Sequence, residues 1–185
     1  SYLEKNLDSR LTYHCVDHTK WVFMETQAIC NFEEINAYEK NLACIAALCH
    51  DVGFINDFCE NEAHGAAYAK KLMQKNGYDA SDVAIVENAI LETNPTVNNV
   101  SQVSQILSDA DLGYLGTDEY FAWSKRLRSE YVNLNQLNGD EKIWLKKQID
   151  FLQLHKYNSR FSTLYRKPKK EEILIKLQHQ LEKIS

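Results

Sequence analysis

One stretch restricts the fold more than any other: residues 42–53, Leu-Ala-Cys-Ile-Ala-Ala-Leu-Cys-His-Asp-Val-Gly. Its first eight residues are apolar on nearly every side of a helix, which is typical of a helix buried at the centre of a protein. The apolar run ends at His50 and Asp51, and burying such polar groups is costly unless a partner compensates. A divalent cation is one such partner. Helix-breaking Gly53 would leave both side chains at the C-terminal end of this helix.

The rest of the chain also favours helices. Only two prolines and six glycines interrupt the 185 residues, and that scarcity favours long helices over a hairpin-rich β fold. A chain of this length buries a core without covalent or metal staples. The five cysteines are an odd number without Cys-x-x-Cys spacing, which indicates reduced core residues and a cytoplasmic protein. We therefore predict an all-α, single-domain helical bundle.

Apolar periodicity and capping residues predict where the helices lie. Residues 3–13 form a lead-in of one or two helical turns, and Asp17 caps the first long helix. Pro95 ends the fourth long helix. The last helix is amphipathic over residues 169–184, so it either packs on its own core or mediates a homodimer. The predicted long helices are 18–32, 38–51, 62–76, 81–92, 101–115, 117–134, 140–155 and 168–184.

Composition excludes several classes of partner. The net charge is −5 and no basic stripe is present, so we expect no stable nucleic-acid partner. The chain has no run of about 18 apolar residues, so we expect no membrane partner. The N-terminus lacks the charge pattern and apolar core of a signal peptide. We expect a cytoplasmic protein that acts on a small molecule.

Three short polar segments, which we call polar islands, interrupt the apolar helical pattern at residues 13–19, 50–51 and 108–113. Each contains side chains that can bind metals. The first contains His14 and His18, which share one face if the segment is helical. The third contains Asp109 and Asp111, which are two residues apart and so point in different directions on a helix.

A mixed set of imidazole and carboxylate ligands suits Mn²⁺, Fe²⁺, Ni²⁺, Co²⁺ or Zn²⁺ and leaves room for water or substrate. The set contains no thiolate, which argues against a closed structural zinc site. Taken singly, each residue has an ordinary interpretation, because a lone histidine is most often a hydrogen-bonded core or surface residue and a lone aspartate a cap or ion-pair partner. The order along the chain favours a metal site: His, then His-Asp, then Asp, each on its own helix.

This order resembles the HD-domain superfamily of metal-dependent phosphohydrolases, in particular its bacterial stand-alone members. Further motifs share the resemblance, which extends from about residue 13 to residue 177. The resemblance implies a single HD-type domain over residues 1–185, in which 13–116 carry the metal-site core and 117–185 pack on it as C-terminal helices. The matching motifs are Tyr-His-x-x-x-His-Thr (13–19), Ala-Ala-Leu-x-His-Asp-Val-Gly-Phe (46–54), Ala-Ile-Leu-x-Thr (89–93), Asp-Ala-Asp-Leu-Gly-Tyr-Leu-Gly (109–116) and Phe-Leu-x-x-His-x-Tyr (151–157).

Carried over residue by residue, the resemblance implies four metal ligands. They are His18, His50, Asp51 and Asp111. Asp111 is preferred to Asp109 because the last aspartate of the family stands in an Ala-Asp-Leu-like context. The implied cofactor is one divalent transition metal per chain.

The same resemblance implies catalytic roles for nearby side chains. In relatives with the Tyr-His-x-x-x-His opening, the first histidine is a general acid near the leaving oxygen, and His14 matches it. Asp51 or Glu62 could accept a proton from water. Glu62 and His64 fall on the helix where some relatives bind a second metal. Residues 90–93, Ile-Leu-Glu-Thr, lack the further histidine of two-metal relatives, so we expect one metal, with His64 lining the pocket.

The expected activity is hydrolysis of a phosphomonoester, phosphodiester or nucleotide by metal-activated water. Two alternatives stay open. The first is a non-catalytic HD-fold module that senses a ligand or oligomerises, although such a module has no need to keep four ligands together. The second is a di-iron oxygenase, which requires two irons and is disfavoured by the missing histidine.

Overall fold

The computed structural model describes residues 2–94, 97–98 and 100–184, and within these ranges it confirms the predicted all-α fold. It contains ten α-helices, two short 3₁₀ helices and no β-strand in the part of the chain described. The 3₁₀ helices are Val52–Ile55 and Gly113–Gly116. The α-helices are α1 Tyr2–Asn6, α2 Val16–Phe32, α3 Ala37–Cys49, α4 Asn61–Lys75, α5 Ala80–Leu91, α6 Gln102–Asp111, α7 Tyr120–Asn133, α8 Glu141–Leu154, α9 Arg160–Tyr165 and α10 Lys167–Lys183.

The predicted helix over 18–32 begins earlier than expected. It starts at Val16, so Cys15 is the N-cap residue, and the prediction that Asp17 caps the helix is wrong. Asp17 instead lies in the first turn, where its negative charge favours the positive end of the helix dipole. His14 precedes the helix in a bend. Pro95, predicted to end the helix over 81–92, lies outside the described residues.

Two predicted boundaries toward the C-terminus are also wrong. The helix expected over 101–115 ends at Asp111, and residues 113–116 form a 3₁₀ helix bounded by two glycines. The helix expected from residue 117 begins at Tyr120. The sequence patterns also missed the six-residue helix α9, which Ser159 caps by accepting a hydrogen bond from the backbone N–H of Ser162.

The chain divides into two compact units. The first unit comprises Ser1–Asp8 and His14–Leu112, and the second comprises Ser9–Tyr13 and Gly113–Ser185. The predicted single domain of residues 1–185, with the C-terminal helices packed on the metal-site core, stays a prediction. No helix in the described ranges has the length and apolar composition that a bilayer span requires.

Helix α3 lies at the centre of the first unit, as residues 42–53 predict. Helices α2, α5 and α6 pack against it, and Leu42, Ala43, Ala46 and Ala47 are fully buried. Asn36 begins the helix by accepting a hydrogen bond from the backbone N–H of Glu39 at 2.9 Å. The small side chains let the neighbouring helices approach closely, which brings their polar residues to the end of α3.

Two glycines fix how α4 packs on the end of α3. A Cβ atom added at Gly53 would lie 1.8 Å from the carbonyl oxygen of Asn61, the first residue of α4. A Cβ atom at Gly65 would lie 2.7 Å from the carbonyl oxygen of His50. Backbone atoms therefore meet at distances that a side chain would prevent, and this contact holds α4 directly beside the His-Asp pair.

The second unit has a core of its own. Helices α8 and α10 pack together, and the buried Tyr120 hydroxyl donates a hydrogen bond to the side-chain oxygen of Gln148 at 2.9 Å. The backbone N–H of Tyr13 donates to the buried carboxylate of Glu130 at 2.8 Å, which attaches the short segment Ser9–Tyr13 to α7. Ile173 and Leu177 of α10 are buried, so this helix contributes to a core. The predicted homodimer stays a prediction.

Candidate metal centre

Three separate elements of the first unit bring the four predicted ligands together. His18 lies in the first turn of α2, and Asp111 is the last residue of α6. His50 is the C-cap residue of α3, and Asp51 follows it. Because α2 and α6 both pack on α3, side chains distant in sequence meet at one end of the central helix.

The distances among these side chains are short. Asp51 Oδ2 lies 3.3 Å from His18 Nε2 and 3.1 Å from His50 Nε2. Asp111 Oδ1 lies 2.9 Å from His18 Nε2 and 3.7 Å from His50 Nε2. Both histidines are 1% exposed. Each carboxylate oxygen therefore approaches both imidazoles.

A backbone contact sets the orientation of the His50 ring. Its Nδ1 lies 2.9 Å from the carbonyl oxygen of Ala47. A carbonyl can only accept a hydrogen bond, so Nδ1 carries a proton and donates it. Nε2 then faces the centre of the cluster. Metal-binding histidines commonly donate their other ring N–H to a carbonyl in this way.

The polar atoms at the centre lack hydrogen bonds of good geometry. His50 Nε2 and Asp51 Oδ2 are both buried, and neither forms a hydrogen bond to a described residue although they are only 3.1 Å apart. Buried polar atoms without hydrogen bonds are rare and require a partner. The ligand atoms of His18, His50 and Asp51 all lie within 4.8 Å of one another. This buried group could hold a metal ion, and the donor set fits a divalent transition metal.

The electrostatics of the cluster also favour a cation. Burial by itself lowers the pKa of His50, but the carboxylates of Asp51 and Asp111 and the contact with Ala47 raise this pKa to about 9. Burial raises the pKa of Asp51, but His50, with smaller contributions from His14 and His18, holds this pKa well below its usual range. The Asp51 carboxylate thus stays ionised and attracts positive charge, which a proton on His50 or a bound metal ion supplies.

His14 lies beside the cluster, but it does not share a helix with His18 as the i, i+4 spacing would require. It precedes α2, so the two imidazoles do not share a helix face. Its ring instead stacks on Phe54, with the ring centres 4.1 Å apart and the planes at 27°. The ring centre is 6.0 Å from that of His18. The stack with Phe54 therefore holds His14 next to the predicted ligands.

Glu62 and His64 lie on α4, which packs against the end of α3, but in the described residues they form no hydrogen bond or ion pair with the cluster. Both are half-buried on the first turns of α4. Within the described residues, neither side chain forms a hydrogen bond or an ion pair with any of the four predicted ligands. Gly65, which follows His64, packs against the backbone of His50. The structure therefore brings the helix of Glu62 and His64 to the site without joining their side chains to it.

Sequence reasoning missed one group that shapes the site, the carbonyl of Ala47. Alanine carries no side-chain chemistry, so no residue pattern identifies it. The position of the histidine is the only signal. The side chain of a histidine at the C-terminal end of a helix can reach the backbone carbonyl three residues earlier, because that carbonyl lies about one turn below it. A prediction that α3 ends at Cys49 would therefore have indicated that the carbonyl of Ala47 could contact His50.

Comparisons with known proteins gave no match, because no protein-family model, no curated protein and no solved structure is significantly similar to the chain. The relationship to the HD-domain superfamily stays a prediction based on the residues and their order.

Proposed function

We propose that the chain is a metal-dependent phosphohydrolase of the HD type. One observation carries the proposal, namely the convergence of two buried histidines and two carboxylates from α2, α6 and the end of α3. Two atoms at its centre, His50 Nε2 and Asp51 Oδ2, are buried without hydrogen bonds of good geometry. A structural polar network would satisfy these atoms internally, whereas a metal site leaves them for the ion.

His18, His50, Asp51 and Asp111 would hold one divalent cation of Mn, Fe, Ni, Co or Zn. A bound cation would neutralise phosphate oxygens and activate water for attack on phosphorus. The low pKa of Asp51 suits a permanently ionised ligand better than a group that accepts a proton at neutral pH. We therefore assign proton acceptance to Glu62, which lies on the helix packed beside the cluster, in preference to Asp51.

His14 is assigned the role of proton donor to the leaving oxygen. Its stack on Phe54 restricts the orientation of the imidazole, and its half-buried position leaves part of the ring accessible. Histidine is the side chain that enzymes most often use for proton transfer of this kind. His64, which lies on the same helix as Glu62, would line the substrate pocket without serving as a ligand.

A single metal is favoured by the contacts of residues 90–93. The carboxylate of Glu92 accepts a hydrogen bond from the backbone N–H of Val100 at 2.8 Å. The hydroxyl of Thr93 donates to the carbonyl oxygen of Ile90 at 2.7 Å. Both side chains are therefore engaged in local hydrogen bonds, which disfavours a second ligand set at this segment and, with it, a di-iron oxygenase.

We predict that the purified protein contains close to one equivalent of transition metal per chain, measured by elemental analysis after metal-free buffer exchange. Metal-supplemented protein should hydrolyse at least one member of a panel of nucleotides, cyclic nucleotides and simple phosphate esters, because the proposed site binds and polarises phosphate oxygens. His50→Ala should lose both metal and activity.

The matched control is His179→Ala, which removes an exposed histidine of α10 and should retain both. Absence of metal after reconstitution with Mn²⁺ or Fe²⁺ would contradict the proposal. Bound metal with no hydrolysis of any compound in the panel, in wild type and variants alike, would instead favour a ligand-sensing module.

A second prediction distinguishes the two aspartates of α6. Asp111→Asn should weaken Mn²⁺ binding by at least about tenfold, because Asp111 Oδ1 lies 2.9 Å from His18 Nε2. Asp109→Asn alters a fully buried side chain and should lower stability while metal affinity stays within about threefold of wild type. Isothermal titration of metal-free protein with Mn²⁺ measures both. The reverse pattern would exchange the roles of the two aspartates.

A further inference from the structure

A concave groove lies within the first unit, apart from the predicted metal ligands. It is a groove of about 600 Å³ formed by residues of α1, α2, α3 and α4 together with Val52. This volume falls within the range of roughly 300–1,000 Å³ that is typical of small-molecule sites. None of the four predicted metal ligands lines it.

Helix α2 supplies one continuous wall of this groove. The wall residues recur at helical spacing and so form a single stripe along the helix. Leu48 of α3 and Leu72 of α4 face them, and these leucines are 48% and 41% exposed. The stripe consists of Val16, Thr19, Lys20, Phe23 and Met24.

The groove and the metal centre use different faces of the same helices. Thr19 follows His18 and Cys49 precedes His50, and both line the groove. Consecutive residues of a helix point about 100° apart, so the side chains of each pair diverge. The groove is therefore a separate site whose walls are adjacent in sequence to the predicted ligands.

Few groups in the groove can form hydrogen bonds. The Thr19 hydroxyl donates to the carbonyl oxygen of Cys15. The Cys49 thiol is only a weak hydrogen-bond donor and acceptor. The stacked rings of Tyr2 and Tyr68, with centres 5.7 Å apart, form one side of the groove. An apolar occupant therefore suits most of its surface.

Among the described residues that line the groove, Lys20 alone carries a charge. It is exposed and makes no hydrogen bond or ion pair with a residue the structure describes. None of the lining residues that the structure describes carries a carboxylate that would oppose an anion. Its ammonium group therefore offers a single positive charge at the rim of an apolar concavity.

From this combination we propose that the groove binds a carboxylic acid with an apolar acyl chain, the chain lying between α2, α3 and α4 and the carboxylate at Lys20. The concave shape of the groove suits a flexible acyl chain better than the flat surface of a second copy of the protein. The single lysine suits one carboxylate. The proposal concerns a site separate from the metal centre and does not depend on its function.

The test is calorimetric titration of the full chain with laurate below its critical micelle concentration, with dodecanol as the uncharged probe of equal chain length. Wild type should bind laurate more tightly than dodecanol. Leu48→Gln should weaken laurate binding by about tenfold, because it places an amide in the apolar wall. Lys20→Met should weaken laurate binding by up to about fivefold and leave dodecanol binding unchanged.

Two substitutions serve as matched controls. Leu154→Gln makes the same change at a residue that is 79% exposed on α8, and Lys71→Met removes an exposed lysine that does not line the groove. Both should bind laurate as wild type does. All four altered side chains are at least partly exposed, so the variants should fold.

Three outcomes would overturn the proposal. The first is laurate binding that Leu48→Gln and Leu154→Gln weaken equally or not at all. The second is equal affinity for laurate and dodecanol. The third is a dimer, detected by light scattering, that Leu48→Gln dissociates while laurate does not bind, because the occupant would then be a second copy of the chain.

Discussion

Gly53→Ala is expected to lower the free energy of unfolding by at least about 3 kcal/mol, a loss in the range of severe core substitutions. The added Cβ would lie 1.8 Å from the carbonyl oxygen, 2.6 Å from the carbonyl carbon and 2.8 Å from the Cα of Asn61. All three are backbone atoms, so no side-chain rotation relieves the overlap. The start of α4 must move, and urea unfolding followed by circular dichroism measures the cost.

The displacement should also reach the metal centre. Gly53 is two residues from Asp51, and Gly65 of the same helix α4 packs on the carbonyl of His50. Where Gly53→Ala still folds, its affinity for Mn²⁺ should fall by about tenfold or more, since small shifts in ligand geometry weaken metal sites. Titration calorimetry on the folded variant measures this second effect.

Gly77→Ala and Gly139→Ala are the matched controls, because they make the same change where nothing lies within 4 Å of the added atom. These two glycines have φ of +80° and +82°, so alanine there costs about 1–2 kcal/mol through backbone strain alone. A loss at Gly53 no larger than at Gly77 would show that the close approach to Asn61 does not constrain the fold.

The sequence identified Gly53 for the wrong physical reason. We predicted it as a helix breaker, yet it lies inside a short 3₁₀ helix, and its φ is not among the positive values found at Gly77 and Gly139. Glycine is required because backbone from α4 occupies the space of a side chain. Such a requirement comes from a tertiary contact, so local residue patterns do not contain it.

Helix positions were predictable where apolar periodicity is strong, as in α3, whose buried face follows directly from its sequence. Boundaries were less predictable where close packing decides them. The predicted helix 101–115 continued the apolar pattern through Leu115, but the chain turns into a 3₁₀ helix instead. Within this turn, a Cβ at Gly116 would lie 2.2 Å from the carbonyl oxygen of Arg166. That contact joins residues far apart in sequence.

The candidate ligands were predictable as residue types, but their convergence was not. His18, the His-Asp pair and Asp111 were selected by their order and by family resemblance, since spacing along the chain does not give a distance through space. Packing of α2 and α6 on α3 supplies that distance. Closeness in sequence does not give contact in space either. Glu62 follows the His-Asp pair closely in sequence, yet it forms no hydrogen bond or ion pair with the predicted ligands in the part of the chain described.

Metal should stabilise the folded protein strongly. At a free Mn²⁺ concentration about 100 times the dissociation constant, binding to the native state alone contributes about 2.7 kcal/mol. For a chain of this length, that corresponds to a rise in Tm of about 5–10 °C. The rise is expected because the carboxylates of Asp51 and Asp111 gain a cation that the unfolded chain does not hold in place. Differential scanning calorimetry of metal-free protein, with and without Mn²⁺, measures it.

His50→Ala should reduce this rise in Tm to less than about 1 °C, because it removes a central ligand, while His179→Ala should show the full rise. His50→Ala also leaves Asp51 buried without its nearest imidazole, which costs stability in the metal-free state. If His50→Ala does not fold, Asp111→Ala takes its place in the test. Asp111 is only half-buried, so its replacement should leave the protein folded. A rise in Tm that persists at full size in either folded ligand variant would mean that Mn²⁺ binds elsewhere, since a site built from these four side chains cannot lose one of them without losing affinity.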